Sequence, residues 1–255
     1  MLQPWQTGKI IRIENETENT RRFWIELSSL QSFDFKPGQF VTIDLPIHEK
    51  PNKRWRSYSI ASWPDGTNIF ELVIVLMEGG AGTTYLFNDI NIGSELILRG
   101  PQGVFVLPEK IENDLFFICT GTGVAPFRSM ANHILNHNIS HRNIYLIFGC
   151  RKFEDCLYRN ELEKLNEQLP GFNYIPTFSR EEPDNANHLF RTGYVHPIYE
   201  EICKNNKISS AEGMNSELKP PGFYLCGWKN MIDEAKQRIQ ALGYDRKSIH
   251  QELYG

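Results

Sequence analysis

No stretch of the 255-residue sequence approaches the roughly 20 apolar residues that a membrane-crossing helix needs, so no span is expected. There is no basic tract, and the formal net charge is only -4, which gives no reason to expect a nucleic-acid partner. The N-terminus lacks a long apolar run behind a basic segment, so it does not read as a secretory signal. Cysteine is sparse: Cys119, Cys150, Cys156, Cys203 and Cys226 are scattered, odd in number and never spaced C-x-x-C or C-x4-C-x2-C. Neither a disulfide framework, a zinc site nor an iron-sulfur cluster is therefore expected, and the reducing cytoplasm is the expected compartment. There is no metal-ligand pattern and no convincing internal repeat.

What is present is the balance of a globular protein, 40% hydrophobic and 23% charged, in a length that suits two ordinary domains. The first hundred residues read as six short strands, near Lys9 to Glu14, Arg22 to Leu27, Gln39 to Leu45, Ser57 to Ser62, Phe70 to Leu76 and Glu95 to Arg99. Lys36-Pro37-Gly38, Pro64-Asp65-Gly66 and Gly100-Pro101 supply turns between them. A six-stranded antiparallel β-barrel, closed or nearly so, is expected. After about Pro108 apolar strands alternate with helical stretches: strands at Leu115 to Thr120, Ile144 to Phe148, Asn173 to Phe178, Phe223 to Cys226 and Ser248 to Glu252, helices near Val124 to Asn136, Tyr158 to Leu169 and Met231 to Leu242. That alternation predicts a parallel sheet covered by helices, an α/β domain. The expected division is 1-110 and 111-255, and the polar segment Lys204 to Pro221 reads as a solvated surface insertion.

Three runs carry chemistry. In Arg56-Ser57-Tyr58-Ser59, strand alternation puts Arg56 and Tyr58 on one face, where they can pair a phosphate and cover a flat ring; the pattern alone also fits an ordinary barrel strand. In Glu78-Gly79-Gly80-Ala81-Gly82-Thr83-Thr84, glycines permit a sharp turn and Thr83 or Thr84 opens a short helix, whose N-terminus suits a pyrophosphate; alone it is equally a hairpin with an N-cap. Thr120-Gly121-Thr122-Gly123-Val124-Ala125-Pro126 lies where the first strand of an α/β sheet presents a helix N-terminus to a dinucleotide. Pro126 stands where the Rossmann fingerprint has its third glycine, and the second strand ends in Gly149-Cys150-Arg151 without a ribose-binding carboxylate.

R-S-Y-S, G-G-A-G-T-T-Y-L, T-G-T-G-V-A-P, Y-L-C-G-W-K-N-M and the terminal E-L-Y-G follow in the order and spacing of the ferredoxin-NADP reductase superfamily, which the chain resembles from about Lys9 to its end. The resemblance implies an N-terminal FAD-binding barrel and a C-terminal NADP-binding α/β domain, with chemistry at the cleft between them. It implies Arg56 on the FAD pyrophosphate, Tyr58 stacked on the isoalloxazine, Ser59 near its N5, with Ser57 beside them. Val73, Ile74 and Val75 would line the flavin, and Gly80, Ala81, Gly82, Thr83 and Thr84 would close over the pyrophosphate. Thr120, Gly121, Thr122 and Gly123 would meet flavin and dinucleotide, and Cys226 and Gly227 the nicotinamide. Glu252 would be a proton or hydrogen-bond partner near the ring, and Tyr254 would cover the flavin face from which nicotinamide must displace it. Ser59, Cys226 and Glu252 are the candidate catalytic residues.

Ser179-Arg180 after the third α/β strand suits a 2'-phosphate, Arg151 adds a charge, and Tyr194 takes the place of the family's adenine-stacking Tyr. NADP(H) is expected over NAD(H), although Thr192 stands where the family often has Lys. The resemblance points to a monomer whose partner is a separate ferredoxin or flavodoxin, met by a basic rim of Lys50, Lys53, Arg54 and Arg56. The alternatives are an NADH-dependent flavin reductase or oxygenase reductase component, a non-autonomous electron-transfer flavoprotein subunit, and a regulatory nucleotide-binding module without flavin.

Overall fold

The computed structural model describes residues 3-182, 190-211 and 219-254, with side chains for all of these except 207-211 and Tyr254. Two compact units emerge: Met1-Leu107 with Ala125-Asn136, and Pro108-Val124 with His137-Gly255.

The first unit is built on strands β1 (Gln6-Thr17), β2 (Thr20-Glu26), β3 (Phe40-Asp44), β4 (Trp55-Ser59), β5 (Ile69-Val75) and β6 (Glu95-Gln102). They form one antiparallel sheet in the order β4-β3-β6-β1-β2-β5. The end strands are drawn together just past β4, where Ala61 N-H donates to Glu71 O at 2.8 Å and Glu71 N-H to Ser62 Oγ at 2.9 Å. Alternation explains the curl: Ile10, Phe23, Ile25, Val41, Ile43, Phe70, Leu72, Leu96 and Leu98 all turn inward into one buried cluster. Each such side chain contributes about 1.5-3 kcal/mol by leaving water. Two short helices, α1 (Pro51-Arg54) and α2 (Ala81-Asn88), and the longer α3 (Ala125-Asn136) complete the unit.

All six predicted strands are present, with shifted ends. Strand β4 begins at Trp55 and leaves the ladder at Ser59, earlier than the expected Ser62. Strand β6 runs through Gly100-Pro101, which reads as a turn in the sequence; the pairing with β3 slips between Phe40 and Thr42, and this irregularity absorbs the dipeptide.

The second unit is a wholly parallel sheet, β7 (Leu115-Thr120), β8 (Ile144-Cys150), β9 (Phe172-Phe178), β10 (Arg191-Thr192), β11 (Gly222-Trp228) and β12 (Ile249-Tyr254), ordered β10-β9-β8-β7-β11-β12. Helix α4 (Arg159-Gln168) lies against β9. Helices α5 (Val195-Ala211) and α6 (Lys229-Ala241) bury Val195, Ile198, Tyr199, Ile232, Ala235 and Ile239 against Phe116, Ile118, Ile147, Phe223 and Leu225. The apolar strand runs predict this layer, because both faces of a parallel sheet are covered.

The surface insertion expected at Lys204 to Pro221 is corrected in its first part. Residues 204-211 continue α5, and 212-218 lie outside the described residues. Tyr199 and Cys203, one helical turn apart, are both buried and anchor that continuation.

Candidate functional site

The end of β4 carries the first motif. Arg56 and Tyr58 share the face of Ile43 and Val41, their partners on β3, and Ser59 alternates to the opposite face, where it is nevertheless buried with only 4% of its surface exposed. Arg56 Nη1 donates to the carbonyls of Lys53 (3.0 Å) and Trp55 (2.8 Å), which braces the guanidinium. Its stem lies across the first turn of α2: a Cβ added to Gly82 would sit 3.1 Å from Arg56 Cγ and 3.2 Å from Nε. A cation and the positive end of a helix are thus placed side by side with no side chain interposed, a fitting seat for the pyrophosphate of FAD. Burial pushes the Tyr58 phenol up to about 12, against the opposing pull of Arg56.

The helix itself begins earlier than the sequence suggests. Gly80 is the N-cap and Ala81 the first helical residue, while Thr83 lies within the first turn, its hydroxyl donating to Gly80 O and accepting from Met77 N-H, both at 3.1 Å. Glycine suits the cap because a Cβ there would lie 2.8 Å from Thr83 Oγ1 and 2.9 Å from Met77 Cβ, while the positive φ of the turn falls on Gly79. Val73, Ile74 and Val75 end β5, paired with Arg22, Arg21 and Thr20 of β2.

In the second unit the chain lays down β7, β8, β9 and β10 in one direction and then returns to place β11 and β12 on the other side of β7. Ligands of open α/β sheets bind at the carboxyl ends of strands where this reversal occurs. Here those ends are Thr120-Gly121-Thr122-Gly123 after β7 and Cys226-Gly227 within β11. The two turns are pressed together: a Cβ on Gly123 would lie 2.3 Å from Cys226 O, and one on Gly227, at φ 139°, would lie 2.4 Å from Thr120 Oγ1. Trp228 N-H donates to Thr120 Oγ1 at 3.3 Å. Only glycine permits this approach.

Register then puts the remaining candidates in a row. Cys226 pairs with Cys119 on one side and Glu252 on the other, and Trp228 is opposite Tyr254. The terminal motif is therefore an edge strand, with Tyr254 placed by its backbone; Gly255 lies outside the described residues. Cys119 and Cys226 are fully buried, and burial raises the Cys119 thiol well above its ordinary range, so it is a thiol rather than a thiolate at neutral pH.

The coenzyme-selecting candidates gather at the ends of β8, β9 and β10. Ser179 N-H donates to Cys150 O (3.0 Å) and Arg180 N-H to Arg151 O (2.9 Å), while Thr177 Oγ1 donates to Gly193 O (2.8 Å) just before the exposed Tyr194. Arg180 lines a surface depression of about 310 Å³ with Lys152, Phe153, Glu154 and Glu181. Sequence reasoning missed the acids here. Asp155 grips Arg151 through two bonds of 3.1 Å, and Glu181 accepts from Phe153 N-H at 2.5 Å. It also missed a buried ion network in the first unit, in which Glu71 meets Arg22 (Nε to Oε1, 2.6 Å) and Arg128 (Nη1 to Oε2, 3.0 Å). Its signal was a carboxylate inside the apolar run Ile69-Phe70-Glu71-Leu72-Val73, which demands a buried cation.

An antiparallel sheet with a cation beside a helix N-terminus, and a parallel sheet with a glycine turn at its reversal point, suit a flavin- and nicotinamide-nucleotide-binding oxidoreductase. The family models agree: residues 7-107 match the oxidoreductase FAD-binding domain and residues 117-237 the oxidoreductase NAD-binding domain. Ferredoxin-NADP reductase B of Sorangium cellulosum is 32% identical over 97% of this chain and 96% of its own. The phenol hydroxylase P5 protein of Acinetobacter pittii is 29% identical over 100% of this chain, which spans 66% of that relative's length. Among solved structures, a ferredoxin NADP+ reductase from Neisseria gonorrhoeae with bound FAD and NADP superposes with a TM-score of 0.73 at 26% identity, covering 98% of each chain. The Amycolatopsis cytochrome P450 reductase GcoB gives 0.81 at 25% identity, covering 98% of this chain and 70% of its own. The chain belongs to the ferredoxin-NADP reductase superfamily, and its domains are those that bind FAD and a nicotinamide dinucleotide. Among the described residues no helix is long and apolar enough to cross a membrane.

Proposed function

We propose that the protein oxidises NADPH and passes the electrons singly to a ferredoxin- or flavodoxin-type carrier outside these 255 residues. FAD supplies the conversion, because it accepts a hydride and releases electrons one at a time. The chain's own groups bind, orient and exclude water. Arg56 and the first turn of α2 hold the pyrophosphate, Tyr58 covers the ring, and Ser59 donates toward N5. The Thr120-Gly123 turn receives the dinucleotide, with Cys226 and Glu252 beside the nicotinamide and Tyr254 as the ring it displaces. The observation that carries this reading is the glycine contact of Gly123 and Gly227 at the reversal point of the sheet, which exposes backbone rather than side chain to a dinucleotide.

Ser179, Arg180 and the exposed Tyr194 support NADPH as the preferred coenzyme, each held at a strand end of the same sheet. The name of the Sorangium relative supports the carrier. All five cysteines are buried and unbridged, which supports the cytoplasm as compartment, and we take the working state to be a monomer.

A second reading, an NADH-dependent oxygenase reductase component, is favoured by Asp155 on Arg151 and by Glu181 beside Arg180, since carboxylates there oppose a phosphate dianion. Reduction of a [2Fe-2S] ferredoxin by the FAD-loaded protein, with NADPH and with NADH, separates the two. A higher kcat/KM with NADPH is expected, and a preference for NADH would transfer the conclusion to the second reading.

A further inference from the structure

Arg128 is 4% exposed and Glu71 2%, although alternation along β5 puts Glu71 on the face opposite the core residues Phe70 and Leu72. As stabilisers alone such ions are poor choices, because well-packed hydrophobic residues of similar volume often hold a fold as well or better. The geometry gives them a more specific task. Arg128 Nη1 donates at once to Ala61 O (2.8 Å) and to Glu71 Oε2 (3.0 Å), and its guanidinium lies 5.3 Å from the centre of the Trp63 ring. Glu71 is in turn gripped by Arg22 through Nε (2.6 Å) and Nη2 (3.1 Å), so its carboxylate cannot swing to follow a displaced partner.

Ala61 is two residues beyond Ser59, where the chain has already left the β4 ladder. There the segment is pinned from three sides. Ile60 N-H donates to Gln39 O (3.0 Å), Ala61 N-H to Glu71 O (2.8 Å), and the Ala61 carbonyl receives Arg128. Glu71 also shares a strand with Val73-Val75, with Val73 and Val75 on its own face. One guanidinium therefore ties the segment that follows Ser59, which the superfamily resemblance places near the flavin N5, to the strand whose Val73-Val75 it has line the flavin, and it does so from within the first unit.

We infer that Arg128 is a positioning residue for hydride transfer, clamping Ala61 and Glu71 so that the Ser59 hydroxyl keeps its aim. The inference rests on the reading of Ser59 proposed above. Misplacement of a reacting group by an ångström can cost on the order of a hundredfold in rate, so loosening this clamp is expected to slow the chemistry without weakening binding.

The test uses anaerobic stopped-flow reduction of the FAD-loaded full chain by NADPH, comparing the parent with Ser59→Ala, Arg128→Lys and the charge-conserving pair Arg128→Met/Glu71→Gln. In the pair, the limiting rate should fall at least about tenfold while the apparent NADPH dissociation constant and the FAD content stay within about twofold of the parent. Arg128→Lys, which keeps the charge but not the fork, should recover part of the rate. An FAD-loaded pair variant that matches the parent's limiting rate overturns the inference. So does a pair variant that folds without retaining FAD, since the ions would then be a holdfast of the sheet. If the parent's flavin is not reduced, or Ser59→Ala reduces at the parent rate, the reading of the site fails first and takes the inference with it.

Discussion

Under the proposed function the two units solve the same problem, holding a phosphorylated ligand, by opposite means. In the first, long side chains do the holding: Arg56 braced on two carbonyls, the largely buried Tyr58, and the Arg22-Glu71-Arg128 network behind them. In the second, the absence of side chains is what counts, because Gly123 and Gly227 let one turn rest directly on another. An antiparallel sheet presents its residues outward along strands, whereas a parallel sheet offers the ends of its strands and the amides that follow. Damage to the first unit should accordingly appear as lost stability, lost flavin or, where only the Arg128 clamp is loosened, slowed flavin reduction, and damage to the second as lost coenzyme use.

The largest effect that would sharpen this contrast is expected from Glu71→Ala. It leaves the buried Arg128 and the half-buried Arg22 without their shared carboxylate, a loss of about 3-5 kcal/mol by analogy with other broken buried pairs. Urea unfolding measures it, and a change under 1 kcal/mol would show that the network is solvated. Gly227→Ala comes next: its Cβ must displace Thr120, so kcat/KM with NADPH should drop about a hundredfold while the protein still carries FAD. Loss of the flavin instead would break the division of labour. Arg180→Ala should raise KM for NADPH about tenfold and leave KM for NADH unchanged, as expected for one charge-assisted bond to a 2'-phosphate. Equal effects on both coenzymes would remove Arg180 from selectivity.

The smallest effect concerns alkaline pH. Tyr224 is packed edge-on to Phe117 and stacked on His250, and burial pushes its phenol up to about 12 from an ordinary 10. A folded-state pKa above the unfolded value means the fold favours the protonated phenol. That stabilising contribution is complete below pH 10 and is lost as pH climbs toward 12, about 1 kcal/mol by pH 11. Tyr224→Phe should flatten the fall in melting temperature over that window, and an unaltered slope would assign the alkaline loss to other groups.

Much of this was readable before any coordinates. The six strands of the first unit follow from period-two alternation, and β7, β8, β9, β11 and β12 from apolar runs bounded by turns. Helix α5 escaped because Pro197 near its start and the polar Lys204-Asn205-Asn206-Lys207 disguise a helical repeat in Val195, Ile198, Tyr199, Ile202 and Cys203. Strand β10 is two residues long and has no period to detect. In the site, motifs that act through their own residues were legible. What acts through a tertiary partner was not: Asp155 reaches Arg151 only because the chain turns back after β8, and Arg128 meets Glu71 across 57 positions of sequence.

The most direct test is the visible spectrum of the purified, FAD-supplied protein, recorded anaerobically before and after one equivalent of NADPH. Flavin absorbance near its usual visible bands that bleaches on addition is the predicted result. A colourless protein that takes up no FAD, or a bound flavin that neither NADPH nor NADH bleaches, would contradict the account.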